Sequence, residues 1–292
     1  MACRPATQRR RSALGRPAGL DFAGRRVSGG RRAGRDSQRR HLANARRGRA
    51  AHNLPPHQAG AGAGAYNAVR QFDAVSNLAY LTAAFALWRL LRRHSGVPAS
   101  VAFMPPLAVL IGVGSFAFHT LATRWAQVLD IAPIGLFVFI YVGSFLRWFY
   151  RLPWTWCLAG VAGFACVTAA FIALLGSQIP NRSAPYVPVL LLMIGLTVAL
   201  YGSHHEDRSR YWRDFATAAG VFAAGLLART IDEEACGSFP IGTHFIWHLL
   251  TELLIFVVGR ALARRWHSLA EAGDTRLPAT PAGRSRSTDY RA

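Results

Sequence analysis

Two long stretches of this chain are almost free of charge. Between Arg93 and Arg124 there is no Lys, Arg, Asp or Glu, and between Arg124 and Arg147 the one charged residue is Asp130. A helix needs about 20 predominantly apolar residues to cross the hydrocarbon core of a bilayer. Each of these stretches is long enough, so the chain is expected to fold in lipid rather than around a water-facing surface. Inside the first run stands Gly114-Ser115-Phe116-Ala117-Phe118-His119, and Asp130 follows eleven residues later. Polar groups in hydrocarbon cost several kcal/mol if unpaired, roughly 2–7 in transfer measurements, so this histidine and this carboxylate call for partners.

Composition supports the lipid reading. Apolar residues make up 52% of the 292, and the formal net charge of +20 cannot be spread over a chain built of such runs. All 34 basic residues are arginine, a bias of coding rather than of chemistry. Cys3, Cys157, Cys166 and Cys236 have no metal-motif spacing and imply no disulfide framework.

Seven spans are legible, at about 72–90, 101–122, 126–146, 154–176, 185–203, 214–230 and 243–262. The expected fold is therefore an all-α integral membrane protein, a seven-transmembrane helix bundle with disordered termini. The sixth span is the weakest, with a charge-free core only from Phe215 to Ala228. Trp148, Tyr150, Trp154, Trp156, Tyr211 and Trp212 gather at span ends, as interfacial anchors do. Residues 1–65 form an Arg/Gly/Ala-rich tail expected to be disordered, with fifteen arginines in the first fifty positions. It reads as a solvated arm or as the product of a start codon assigned too far upstream. It has no aromatic interleaving and no nucleic-acid module, so no nucleic-acid partner is expected. Residues 66–265 are the membrane domain, and 266–292 read as a second disordered tail.

Most loop arginines fall on one side of a seven-span arrangement, the side that carries the C-terminus. The positive-inside rule makes that side, and the C-terminus, cytoplasmic. The arginines of the N-terminal tail oppose this assignment.

Ser115 and His119 are four residues apart and share a helix face near the end of the second span. Asp130 opens the third. His244 and His248 share a face at the start of the seventh span, and counting crossings brings them to the same membrane surface. Asp232 falls at that surface as well. Three imidazoles at one level suit zinc, which takes three protein ligands and a water in catalytic sites. Such a water ionises near neutral pH, a nearby carboxylate can carry its proton, and a serine hydroxyl can donate to an oxyanion. Proton relay, packing and haem ligation compete for the same residues, although His244 and His248 on one face cannot flank a haem iron. His204-His205-Glu206-Asp207 lies in a charged loop on the opposite side and reads as solvated. His94 and His267 read as interfacial. Glu252, one turn after His248, is a candidate hydrogen-bond partner for a histidine ring or for another donor in the bundle.

Together, Ser115-x-x-x-His119, Asp130 and His244-x-x-Trp247-His248 resemble the alkaline ceramidase family, within a wider superfamily of seven-span hydrolases that includes adiponectin-type receptors. Leu129-Asp130-Ile131-Ala132-Pro133-Ile134, Ile231-Asp232 to Cys236 and Ser76-Asn77-Leu78-Ala79-Tyr80 extend the likeness over residues 66–262. The resemblance implies that His119, His244 and His248 ligate Zn2+, that Asp130 handles protons and that Ser115 stabilises the oxyanion. It implies hydrolysis of the amide of a ceramide-like membrane lipid, releasing a fatty acid and a sphingoid base. Eukaryotic members carry an acidic calcium-binding segment before the first span. Here that region is Gly/Ala-rich and Arg70 replaces an acid, which puts Ca2+ in doubt. Glu252 is also foreign to the pattern. A hydrolase of another lipid amide or ester remains open, as does a receptor or transporter with a structural metal. Acyl-chain preference, the direction of the reaction and oligomeric state are not written in the sequence.

Overall fold

The computed structural model describes residues 71–235, 239 and 241–273. The tail of residues 1–65, Cys236 and residues 274–292 lie outside that set. Seven long helices run through the described residues, and no strand occurs among them. They are α1 (Gln71–Leu91), α2 (Ala99–Leu121), α3 (Arg124–Phe149), α4 (Trp154–Leu175) and α5 (Ala184–Tyr201), then α6 (Trp212–Thr230) and α7 (His244–Glu271). Six of the seven are long and apolar enough to cross a membrane. The exception is α6, where Arg213, Asp214 and Arg229 crowd the two ends of a short apolar centre. This is the segment whose charge-free core was already the shortest, and its place as a seventh span remains a proposal.

One boundary differs from expectation. The last helix does not stop at Arg265 but continues to Glu271, because Trp266 and Leu269 still have a core to enter and are buried. The helix therefore runs six residues into the region read as a disordered tail.

The core is an apolar column running between α1, α2, α3, α6 and α7, rich in aromatic rings such as Phe145, Phe149, Tyr211 and Phe215. By contrast α4 is a peripheral helix, and its most apolar stretch buries no residue inside the protein. Leu158, Val167 and Leu174 point outward from it, as lipid-facing side chains do when every backbone group is already paired within the helix. Around one rim, arginines lie over aromatic rings: Arg92 on Trp88, Arg147 on Trp148, Arg208 on Tyr150 and Arg213 on Trp212. Such pairs suit the headgroup level, where a guanidinium stays wet above an apolar ring. Cys157 is buried and Cys166 exposed, and both are free thiols.

Two local features set up the polar end of the bundle. The turn from α2 to α3 is only Ala122 and Thr123. Ala122 takes the left-handed conformation (φ 51°) that ends a helix, and Thr123 caps the next by accepting the Ala126 N–H at 3.4 Å. The second feature is Pro133 inside α3. Lacking an N–H, it offers no helical donor to the carbonyl of Leu129. Gly114 of α2 packs against that same carbonyl: a Cβ added there would lie 2.0 Å from the Leu129 oxygen. Only glycine permits α2 and α3 to approach this closely.

Candidate metal centre

That close approach positions the first two functional side chains. With Gly114 against the backbone of Leu129 and Asp130, the next residue, Ser115, is brought beside the Asp130 carboxylate. His119 follows one turn later and is buried.

The other two histidines enter from α7. Its first turn is held by Asp232, whose Oδ1 accepts the backbone N–H of Thr243 at 2.7 Å and of His244 at 3.0 Å. A carboxylate at this place satisfies helix-end donors and complements the dipole. Asp232, expected at this surface, thus anchors the start of α7. Thr243 fixes the entry further by donating its hydroxyl to the Ala228 carbonyl at 2.6 Å. His244 and His248 then present one helix face to His119.

The three rings form a tight triangle. Centroids are 5.2 Å apart for His119 and His244, 4.9 Å for His119 and His248, and 4.8 Å for His244 and His248. One nitrogen from each ring lies within 4.8 Å of the others, and all three residues are buried. A zinc ion bound by three histidines holds each nitrogen at about 2.0–2.1 Å.

The polar atoms around the triangle also fit a cation. The Nδ1 of His248 faces the Asp73 carbonyl at 3.1 Å and Ser76 Oγ at 2.9 Å. A carbonyl only accepts, so this Nδ1 carries the proton and the Nε2 lone pair is left free to ligate. His244 Nδ1 and both carboxylate oxygens of Asp73 are buried without a hydrogen-bond partner among the described residues. Buried polar groups are nearly always satisfied, and a cluster of exceptions marks a place where something else binds. Three neutral imidazoles and buried carboxylate charge suit a divalent borderline-soft ion such as zinc.

Asp73 and Ser76 are what reading the sequence missed. Asp73 is the one acid in the first span, at its very start beside Arg70, a position that looks like an ordinary interfacial charge. The available signal was its spacing to Ser76 and Asn77, whose side chains both donate to the Asp73 carbonyl. Glu252 goes the other way. It accepts from Thr82 of α1 and bonds to no histidine, so the partner it needed is a threonine. The His204–Asp207 loop is exposed as expected, except that Asp207 reaches Arg265 at 2.7 Å.

One cavity borders the triangle at His244, and a second shares part of its wall. The first has about 1200 Å³ of unfilled space, part of it open, and is bordered by Asp130, His244, Gln127, Phe118, Arg182 and Arg229. The second, about 920 Å³ of unfilled space, is apolar and lies between Tyr80, Ile111, Ile134, Phe137, Trp247 and Thr251. Ile134, Val138, Tyr186 and Val189 border both, so the two spaces share a wall. Of the aromatic residues near the site, Trp247 and Phe118 border these spaces, whereas Phe116 faces outward.

Fold and site together define a multi-helix membrane protein with a buried histidine triad able to hold a metal ion. Residues 68–275 match the family model described as Ceramidase, and the chain belongs to that family. No curated protein matches the sequence.

Proposed function

We propose that this protein is a zinc-dependent hydrolase that cleaves the amide bond of ceramide-like N-acylated lipids within the membrane. The observation that carries the reading is the buried triangle of His119, His244 and His248 beside the Ser115–Asp130 pair, in a chain of the ceramidase family. The three histidines hold the metal. A bound zinc would supply a water acidified toward pH ~7 and polarise the amide carbonyl.

The remaining work falls to the chain's own residues. Asp130 borders the cavity and takes the proton of the attacking water. Ser115 donates its hydroxyl proton to Asp130 at rest. Once Asp130 is protonated it can donate back to Ser115 Oγ, which frees the serine O–H for the developing oxyanion. Asp130 then delivers its proton to the departing amine. The balance is one amide and one water to one carboxylate and one protonated amine. Arg182 and Arg229 put positive charge at the mouth where the new carboxylate forms. The apolar chamber takes the acyl chain, and the substrate enters sideways from the leaflet because a two-chain lipid does not leave the bilayer readily. α6 also crosses the membrane in this reading, as the sixth of seven spans, the C-terminus is cytoplasmic and the site opens toward the other face.

The test couples metal analysis of the purified full chain to fatty-acid release across N-acylated lipids. About one zinc per chain and release from an amide lipid are expected. His119→Ala should lose both. Asp130→Asn should keep zinc while turnover falls about 10²–10⁴-fold, the usual share of general acid–base catalysis. Full activity in Asp130→Asn would remove the proton-transfer role. Zinc without hydrolysis of any amide or ester lipid would favour a receptor or transporter with a structural metal.

A further inference from the structure

Asp73 is fully buried, with 0% exposure, at the head of α1. Its carboxylate does not cap that helix, since neither oxygen accepts a backbone N–H or any other hydrogen bond among the described residues. No arginine of the described residues makes an ion pair with it. The nearest charge-capable group is His119, whose Nδ1 stands 3.7 Å from Asp73 Oδ2. The same residue's backbone carbonyl meets His248 Nδ1 at 3.1 Å. Asp73 therefore stands behind two of the three histidines at once. A carboxylate left bare in a buried site destabilises the fold unless a cation is near.

We propose that Asp73 is the positioning residue of the metal centre, orienting His119 through its carboxylate and His248 through its carbonyl. Both rings then carry their proton on Nδ1 and turn Nε2 inward. The carboxylate strengthens His119 as a ligand by drawing on its N–H, and its negative charge is compensated only when the metal is bound. The first helix, which contributes no ligand, thereby sets the tautomers of ligands from α2 and α7. Ser76 supports the arrangement by donating to the same carbonyl at 2.9 Å. The inference rests on the proposed metal-binding role of the triad but not on the identity of the lipid.

The experiment compares wild type with Asp73→Asn, which keeps the shape and removes the charge. Zinc affinity is measured by competition with a chromophoric chelator, and thermal unfolding is followed with and without zinc. Affinity should fall about 10–100-fold, the usual effect of losing such a partner. The metal-free variant should melt at or above the wild-type temperature, because an uncompensated buried carboxylate has gone. The gap between metal-free and metal-loaded melting should shrink. Replacing zinc by Co2+ gives a visible band that should shift in the variant as His119 becomes a weaker donor. Asp73→Glu, which restores the charge, should recover part of the affinity. Equal zinc affinity in wild type and Asp73→Asn overturns the inference, as does an equal loss of melting temperature in both metal states, which is what a purely structural aspartate would give. Wild type that binds no zinc overturns this inference and the metal centre together, whereas wild type that binds zinc but hydrolyses nothing sinks only the proposed reaction.

Discussion

The two ends of this bundle each bury charge, and they treat it in opposite ways. At one end Arg265 is 1% exposed, yet its guanidinium is fully engaged. Its Nε donates to the Trp148 carbonyl at 3.1 Å, Nη1 to the Asp207 carbonyl at 3.0 Å and Nη2 to Asp207 Oδ2 at 2.7 Å. Beside it, Arg260 and Arg264 share Asp214. At the other end Asp73 and His244 keep buried polar atoms with no donor or acceptor among the described residues. The bonds of Arg265 need no ligand and tie α3, α7 and the loop before α6 together, although Nε of neighbouring Arg260 is buried without a partner among the described residues. The second end is complete only when something is added. The chain itself satisfies the buried charge of Arg265, whereas the buried carboxylate of Asp73 is left without a hydrogen-bond partner among the described residues.

Substitutions at the two ends should therefore separate activity from stability. The largest effect is expected from Gly114→Ala. Its Cβ would meet the Leu129 oxygen at 2.0 Å, an overlap with backbone that only a parting of α2 and α3 relieves. A shift of about 1 Å at reacting groups costs on the order of 10² in rate, so turnover should drop by about that factor while zinc content stays near one per chain. An active Gly114→Ala would show that Ser115 and Asp130 need no such contact. At the satisfied end, Asp207→Ala leaves the buried guanidinium of Arg265 short of an acceptor. Unfolding free energy should fall by about 2 kcal/mol, read as a lower melting temperature, with zinc content and turnover unchanged. A matching loss of activity would blur the division between the two ends.

The smallest effect is one of pH. Burial alone would raise the Asp207 carboxyl, but the hydrogen bond and charge of Arg265, aided by Arg208 and Arg151, outweigh it and hold the group below its ordinary value. A carboxyl depressed in the folded state contributes stability above its unfolded value, near pH 4. That contribution is lost as pH falls through the folded value. Asp207 is half exposed, so screening keeps the effect modest. Melting curves of wild type and Asp207→Asn should converge as pH drops below about 4 and stay apart above it.

Much of this was legible in the residues alone, for physical reasons that also explain what was not. The spans were readable because hydrocarbon tolerates so few charges, and each of the six apolar helices lies within a few residues of its expected place, save the extended end of α7. The meeting of His119, His244 and His248 followed from helical spacing and from counting crossings. Asp73 was hidden because a carboxylate at a span end is usually wet, and nothing local says that this one is covered by α2 and α7. Asp207 was hidden for a similar reason: its partner is 58 residues away. Glu252 was ambiguous because one turn from a histidine along a helix is no guarantee of facing the same neighbour, and Thr82 of α1 claimed it.

The ligands come from α2 and α7, and the residue proposed to orient them comes from α1. A chain leaves the ribosome N-terminus first. His119 and Asp73 are therefore inserted long before His244 and His248 exist, and until then the carboxylate of Asp73 has no compensating ion. On the proposed metal centre, loading is complete only once α7 is in place. Every product that ends before His244 lacks two of the three proposed ligands, so the last helix to be made is the one that completes the site.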